Sequence, residues 1–230
     1  MDPFLPLIVT SPSGAGKTTL VRRLLAAQPG LVVSVSYTTR GPRDGERDGR
    51  DYHFVTEAVF SDMLARGLFA EHATVHGSRY GTSLARVEEA RRTHRGMVFV
   101  IDYQGAAQVK ARIPGALGVF VLPPSLAELE ARLRRRGTER EEAVARRLAN
   151  AREELLHAAR FDYLVVNDAL DDASAALQAV CEVAFAARGG PPAGALAARL
   201  AGACAVARTA ALPARLLAGE SVRGVPAVVP

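Results

Sequence analysis

Leu7-Ile8-Val9-Thr10-Ser11-Pro12-Ser13-Gly14-Ala15-Gly16-Lys17-Thr18-Thr19 carries an apolar run straight into a glycine-rich turn that ends in Gly-Lys-Thr. The run predicts a buried strand, the residues from Lys17 onward predict a helix, and the turn between them predicts a phosphate-binding loop. Gly14 and Gly16 let the backbone turn its N–H groups inward. Lys17 can reach the β- and γ-phosphates, and the Thr18 hydroxyl suits Mg²⁺ at the start of a helix whose dipole favours anions. A nucleoside triphosphate is the expected ligand. The competing reading, a glycine turn with no ligand, gains some support from Ser11, which stands where the first glycine of G-x-x-x-x-G-K-[ST] belongs. Against it, Lys17 is one of two lysines in a chain that otherwise uses arginine, which suits a compact point charge at that position.

Outward from this loop, short apolar runs near 7–10, 31–36, 97–101, 117–122 and 163–166 alternate with helical patterns near 17–27, 104–112, 125–136, 141–159 and 171–187. That alternation predicts an α/β fold, a mostly parallel sheet covered by helices in three layers. The interval from about 37 to 93 breaks the rhythm with a polar loop, alternating segments at 52–55 and 69–75, and helices near 57–66 and 83–94. It reads as an inserted mixed α+β subdomain. Residues 188–230 are more than half Ala, Gly and Pro. Helix propensity is high over 195–211, but no contrasting polar face accompanies it, so this stretch is expected to be a flexible tail that catalysis does not need.

The 230 residues suffice for one α/β domain with insertions. The net charge of +5 lies mostly in the tail, which holds five arginines against Glu220, leaving about +1 for the first 187 residues. A nearly neutral body gives no case for a polynucleotide partner. Cys181 and Cys204 form neither a metal spacing nor a disulfide framework, and no signal peptide or membrane-length apolar run is evident; a cytoplasmic protein without a membrane partner is expected. The histidines, His53, His72, His76, His94 and His157, have no metal-ligand spacing and are expected to be structural or exposed.

Arg40 and Arg43 lie three apart in the turn-rich loop that follows Ser36, and two guanidinium forks at that spacing can converge on one phosphate. Tyr52 and the Tyr80-Gly81-Thr82 segment, read as a turn, add hydroxyl donors in the same insertion.

In order and spacing these motifs resemble guanylate kinase over roughly residues 5–187. The resemblance rests on Ser11–Thr18, Ser36–Arg43, Glu71-His72-Ala73, Tyr80-Gly81-Thr82, Ile101–Ala106, Leu122–Ser125, Arg136–Glu139 and Val166–Asp168. It implies a P-loop nucleoside monophosphate kinase in which the insertion binds GMP and a lid near 134–142 closes over ATP. By motif position, the GMP phosphate falls to Arg40, Arg43, Tyr52 and Tyr80, and the guanine to Ser36, Glu71, Thr82 and Asp102. ATP falls to Ser13, Gly14, Ala15, Gly16, Lys17, Thr18 and Thr19 with Asn167 on the adenine side. The transferring phosphate falls to Lys17 with Arg132, Arg136 and Arg147, and Mg²⁺ to Thr18.

Other roles suit several of these residues from position alone. Asp102 follows a buried strand and equally suits a helix cap. Glu71 sits in an alternating segment where it can equally face water. Arg132–Arg136 can be a solvated helix face, the role expected for Arg134, Arg135 and Arg140, and Asn167 can be an ordinary turn former. Val100 stands where the family usually carries an acid; such an acid helps to order magnesium's water ligands, so weaker metal ordering with activity retained is expected. Two related readings are a ribose 1,5-bisphosphate kinase of similar fold, which should lack the full guanine set, and a non-catalytic guanylate-kinase-like binding module, which should have a degraded phosphate loop.

Overall fold

The computed structural model describes residues 2–75, 77–135 and 141–223 of the chain. In order these form β1 (Leu5–Thr10), α1 (Lys17–Ala27), β2 (Leu31–Val33), β3 (Tyr37–Thr38), β4 (His53–Phe54), α2 (Glu57–Ala65), β5 (Phe69–Val75), β6 (Ser78–Ser83), α3 (Leu84–Thr93), β7 (Gly96–Val100) and α4 (Tyr103–Arg112). There follow β8 (Leu117–Leu122), α5 (Leu126–Arg135), α6 (Glu141–Leu156), β9 (Tyr163–Val166), α7 (Leu170–Ala186), α8 (Ala195–Cys204), α9 (Val206–Thr209) and α10 (Leu212–Leu217). The chain divides into two compact units. Of the described residues, the first holds Asp2 and Pro3, Val9–Pro29 and those from Leu117 to Arg223; the second holds Phe4–Ile8 and those between Gly30 and Ala116.

Strand β1 begins in the second unit and ends in the first. The sheet it belongs to has the order β2-β7-β1-β8-β9, with parallel β2–β7 and β8–β9 pairs. Every residue of β1 is buried, as its unbroken apolar run requires. The α/β class expected from the alternation is the observed one. Strand β2 is shorter than the expected 31–36 because the chain leaves this sheet after Ser34, whose N–H still donates to the Val98 carbonyl at 2.9 Å, and enters the second sheet at Tyr37.

That second sheet, within the second unit, has the order β4-β3-β6-β5. Its apolar side includes Phe60 of α2 stacked on Phe69 of β5, with centroids 4.5 Å apart. Tyr80-Gly81-Thr82 is not a turn but the middle of β6, paired antiparallel with both β3 and β5. Gly81 serves close approach: a Cβ there would lie 2.8 Å from the Phe69 ring and 3.0 Å from the Glu71 carbonyl. The reversal comes earlier, at Gly77, where φ is +83°.

In the first unit, Leu129 and Leu133 of α5 pack with Val144 and Ala151 of α6 and with Ala15 of the phosphate loop. The loop therefore rests on a helical hairpin core. The C-terminal residues differ from the unpacked tail expected. Ala197, Leu200, Ala201 and Cys204 of α8 are buried, as are Leu212 and Leu216 of α10. The four α8 positions follow i, i+3, i+4, i+7, but their apolar stripe is hidden among outward-facing alanines and a glycine, so it carries no contrast in sequence. Small side chains on α7, among them Ala179, accept Ala197 and Leu200.

Candidate active site

In the first unit, the phosphate loop joins β1 to α1 as expected. Gly14 and Gly16 hold φ of +93° and +99°, a left-handed conformation that any side chain would strain. Space excludes a side chain as well. A Cβ on Gly14 would meet Leu133 at 3.0 Å, and one on Gly16 would lie 2.2 Å from the Asn167 amide nitrogen. Ser11, at the place of the missing glycine, is buried, and its hydroxyl donates to the Pro12 carbonyl at 3.0 Å. Lys17 opens α1, and Ser13, Thr18 and Thr19 are exposed around it.

Asn167 is buried, and its side-chain amide donates to the Ala15 carbonyl at 2.7 Å, so it braces the loop from the end of β9. Arg132 of α5 donates from both terminal nitrogens to the Asn167 carbonyl at 3.1 Å, and from Nε to Glu128 at 2.9 Å. The loop, Asn167 and Arg132 thus form one connected set. Arg134 instead clamps Glu130 and Glu141, and Arg135 reaches Glu128 at 3.2 Å. Arg147 is half-buried on α6. Arg136, the central part of the expected lid (136–140, with Arg140) and His76 lie outside the described residues.

In the second unit, Glu71 is 2% exposed, although it sits on a strand whose alternation allowed it to face water. A bulge between Phe69 and Glu71 breaks the alternation, leaving Phe69, Ala70 and Glu71 all buried. Its carboxyl lies against Thr82, the register partner across the hairpin, and Ser36 and Thr82 hydroxyls are 3.3 Å apart. Oε1 of Glu71 has no hydrogen-bond partner. Burial pushes the Glu71 carboxyl up to about 7, with hydrogen bonds from Thr82 opposing the shift and the nearby Asp102 adding to it. Asp102 takes the capping role: its carboxylate accepts the Gly105 N–H at 2.8 Å at the start of α4. Proximity to Glu71 gives it a place in the same cluster.

Three residues that support Glu71 were not singled out from sequence. Gly105 leaves room for the carboxyl, since a Cβ there would lie 2.7 Å from Glu71 Oε2. Gln108 exchanges hydrogen bonds with the His72 backbone at 2.6 and 3.1 Å, and Arg112 donates to the Phe69 carbonyl at 2.5 Å. The spacing of 104, 108 and 112 marks one face of a helix, but the sequence does not say that β5 lies beneath it.

Arg40 is brought together with both tyrosines. Its Nε donates to the Tyr80 hydroxyl at 3.2 Å, and its guanidinium sits 5.2 Å from the centre of the Tyr52 ring. Glu46, unassigned from sequence, takes the Arg40 fork bidentately at 2.9 Å and also accepts the Arg43 N–H at 2.8 Å. A carboxylate thus occupies the guanidinium fork of Arg40. Arg43 does not share it: its backbone is held by Glu46 while the residue is exposed.

A phosphate loop opening a helix of a parallel α/β core, with a small mixed-sheet insertion that gathers Arg40, Tyr52 and Tyr80, is the layout of a P-loop nucleoside monophosphate kinase. Comparison with known proteins narrows that class. The chain belongs to the guanylate kinase family, whose description matches residues 4–184. It is 52% identical over 177 residues to the guanylate kinase of Aromatoleum aromaticum, spanning 75% of this chain and 87% of that one. It is 53% identical over 180 residues to that of Anaeromyxobacter dehalogenans, spanning 77% and 80%. Among solved structures, the guanylate kinase of Anaplasma phagocytophilum is similar with a TM-score of 0.64 at 30% identity, covering 79% of this chain and 86% of that one.

Proposed function

We propose that this chain transfers the γ-phosphoryl group of ATP to GMP, and to dGMP, giving ADP and the nucleoside diphosphate. A GMP phosphate oxygen attacks the γ-phosphorus in line, a new O–P bond forms, and the β–γ bridging bond breaks toward ADP. No general base is needed, because the attacking phosphate is already anionic. The observation that carries the choice of acceptor is the buried Glu71 carboxyl with an unpartnered oxygen beside Thr82, Ser36 and Asp102. Guanine offers N1–H and the N2 amino group as donors on one edge. Adenine offers neither there, so it would leave the buried acid unpaired.

Division of labour follows the two clusters. Arg40 with Tyr52 and Tyr80 takes the GMP phosphate, which replaces Glu46 in the guanidinium fork; Arg43 joins by turning in from its exposed position. Backbone N–H groups of residues 13–19 cradle the ATP phosphates, with Asn167 bracing the loop at its adenine-side end. Lys17, Arg132, Arg136 and Arg147 neutralise the transferring group. Thr18 fits Mg²⁺. Its exposed position follows the glycine cradle, and no cluster of three metal-ligating side chains competes for the ion among the described residues. When bound through Thr18 and the phosphates, the ion supplies charge neutralisation of the β- and γ-oxygens. ATP and GMP are the partners. No described helix is long and apolar enough to cross a membrane, and both cysteines are buried, which suits a reducing cytoplasm.

The test is ADP production with MgATP and, in parallel, GMP, dGMP, AMP, UMP or ribose 1,5-bisphosphate, beside a Lys17→Ala control. The expected result is guanine-specific turnover that the control abolishes while GMP still binds. Turnover with ribose 1,5-bisphosphate, or GMP binding without turnover, would overturn this reading.

A further inference from the structure

The family match ends at residue 184, yet ordered chain continues to Arg223 and returns to the phosphate-loop side of the first unit. Val222 is fully buried, and its N–H donates to the Pro124 carbonyl at 2.8 Å, just ahead of α5. Ser221 donates from Oγ to the same carbonyl at 3.4 Å. Arg223 is therefore delivered from a seated backbone. Its guanidinium pairs with Asp168 at 3.0 Å and with Glu128 at 3.5 Å.

Both acids adjoin groups placed above in ATP handling. Asp168 directly follows Asn167, which braces the phosphate loop through Ala15. Glu128 is the carboxylate that holds Arg132, at 2.9 Å from its Nε. When Arg132 turns from Glu128 toward the transferring phosphate, that carboxylate loses its nearest cation. Its side chain is only 24% exposed, so water replaces the lost partner incompletely. Arg135 also reaches Glu128, but it is 68% exposed and more open to screening.

We propose that Arg223, supplied by the C-terminal extension, is a positioning residue for phosphoryl transfer: it keeps Glu128 paired as Arg132 leaves, and holds the Asn167–Asp168 turn in place. The proposal rests on the assignment of Arg132 to the phosphate. Arg223 acts through Glu128 and Asp168, and makes the Arg132 movement less costly.

The experiment compares the full chain with Arg223→Ala, Arg223→Lys, Glu128→Gln and the Arg223→Ala/Glu128→Gln pair, measuring kcat and KM for ATP and GMP separately, with melting temperature as a check on folding. Arg223→Ala is expected to lower kcat/KM for ATP about fivefold at low salt, the scale of a partly exposed ion-pair network, with less effect at high salt. KM for GMP should stay within about twofold and Arg223→Lys should recover part of the loss. In the Glu128→Gln background, adding Arg223→Ala should cost less than it does in the parent chain, because only the pair with Asp168 is left to lose. Equal factors in both backgrounds, or a parallel rise in KM for GMP, would overturn the proposal. Full activity in Arg223→Ala would overturn it while leaving the kinase assignment standing; absence of GMP-dependent turnover in the unmodified chain would remove both.

Discussion

Glu71 brings a titration into the working pH range. A carboxyl whose folded value is raised to about 7 binds its proton more tightly in the folded chain than in the unfolded one. It therefore contributes stability that is full below the ordinary value of 4.5 and is lost as pH rises through about 7. Guanine binding pulls the other way, because its N–H donors are best met by the carboxylate. The affinity for GMP should rise with pH up to neutrality. If only the ionised form binds, one pH unit below the Glu71 value costs about tenfold in Kd. Calorimetric titration of GMP from pH 6 to 8, with Glu71→Gln beside the parent chain, isolates this; the substrate phosphate's own ionisation near pH 6 is common to both. Parallel profiles would remove Glu71 from the base site. Sequence pattern left the orientation of this residue open for a physical reason. Period-two alternation specifies two faces, but the bulge ahead of Glu71 cancels the alternation, and the covering helix α4 comes from some thirty residues further on. The Arg40–Glu46 pair was hidden differently: an acid six residues away in a polar loop looks like a solvated charge until the loop's turns are known.

At the scale of elements, the phosphate loop was the most legible part of the chain, because its conformation is written locally. Strand, positive-φ glycines and helix follow within a dozen residues, and Ser11 in place of a glycine leaves that order intact. Gly16→Ala tests the loop most directly. The substitution combines left-handed strain of roughly 1–3 kcal/mol with displacement of the Asn167 amide that would lie 2.2 Å from the new Cβ. ATP-dependent turnover should fall by at least about tenfold while GMP binding, measured separately, stays near the parent value. A variant with normal KM for ATP would mean that the brace from Asn167 is dispensable. The β5–β6 hairpin was less legible. Tyr80-Gly81-Thr82 has turn composition, and only the Phe69 ring pressed against Gly81 explains a glycine in mid-strand.

For the molecule as a whole, the proposed chemistry divides between the two units, one holding the phosphate loop with Arg132 and the other the residues proposed for guanine and the GMP phosphate. The parallel core could be read from sequence because its strands are predominantly apolar runs bounded by turn residues. The C-terminal helices could not, because a stripe of Ala, Leu and Cys among further alanines has no polar contrast, and its partner α7 is also alanine-rich. Burial there is nonetheless extensive, with Leu216 of α10 fully enclosed in the first unit. Leu216→Ala should therefore cost about 2–5 kcal/mol, the range for deleting a buried leucine side chain. In a chain of this size, that corresponds to a fall in Tm of roughly 4–20 °C. Thermal unfolding of the purified variant measures it, and Leu196→Ala, at an exposed position of α8, provides the control with a shift of at most about 2 °C. A Leu216→Ala chain that melts with the parent would mean that α10 is not docked in solution, and the seat of Val222 and Arg223 beside Pro124 would lose its support.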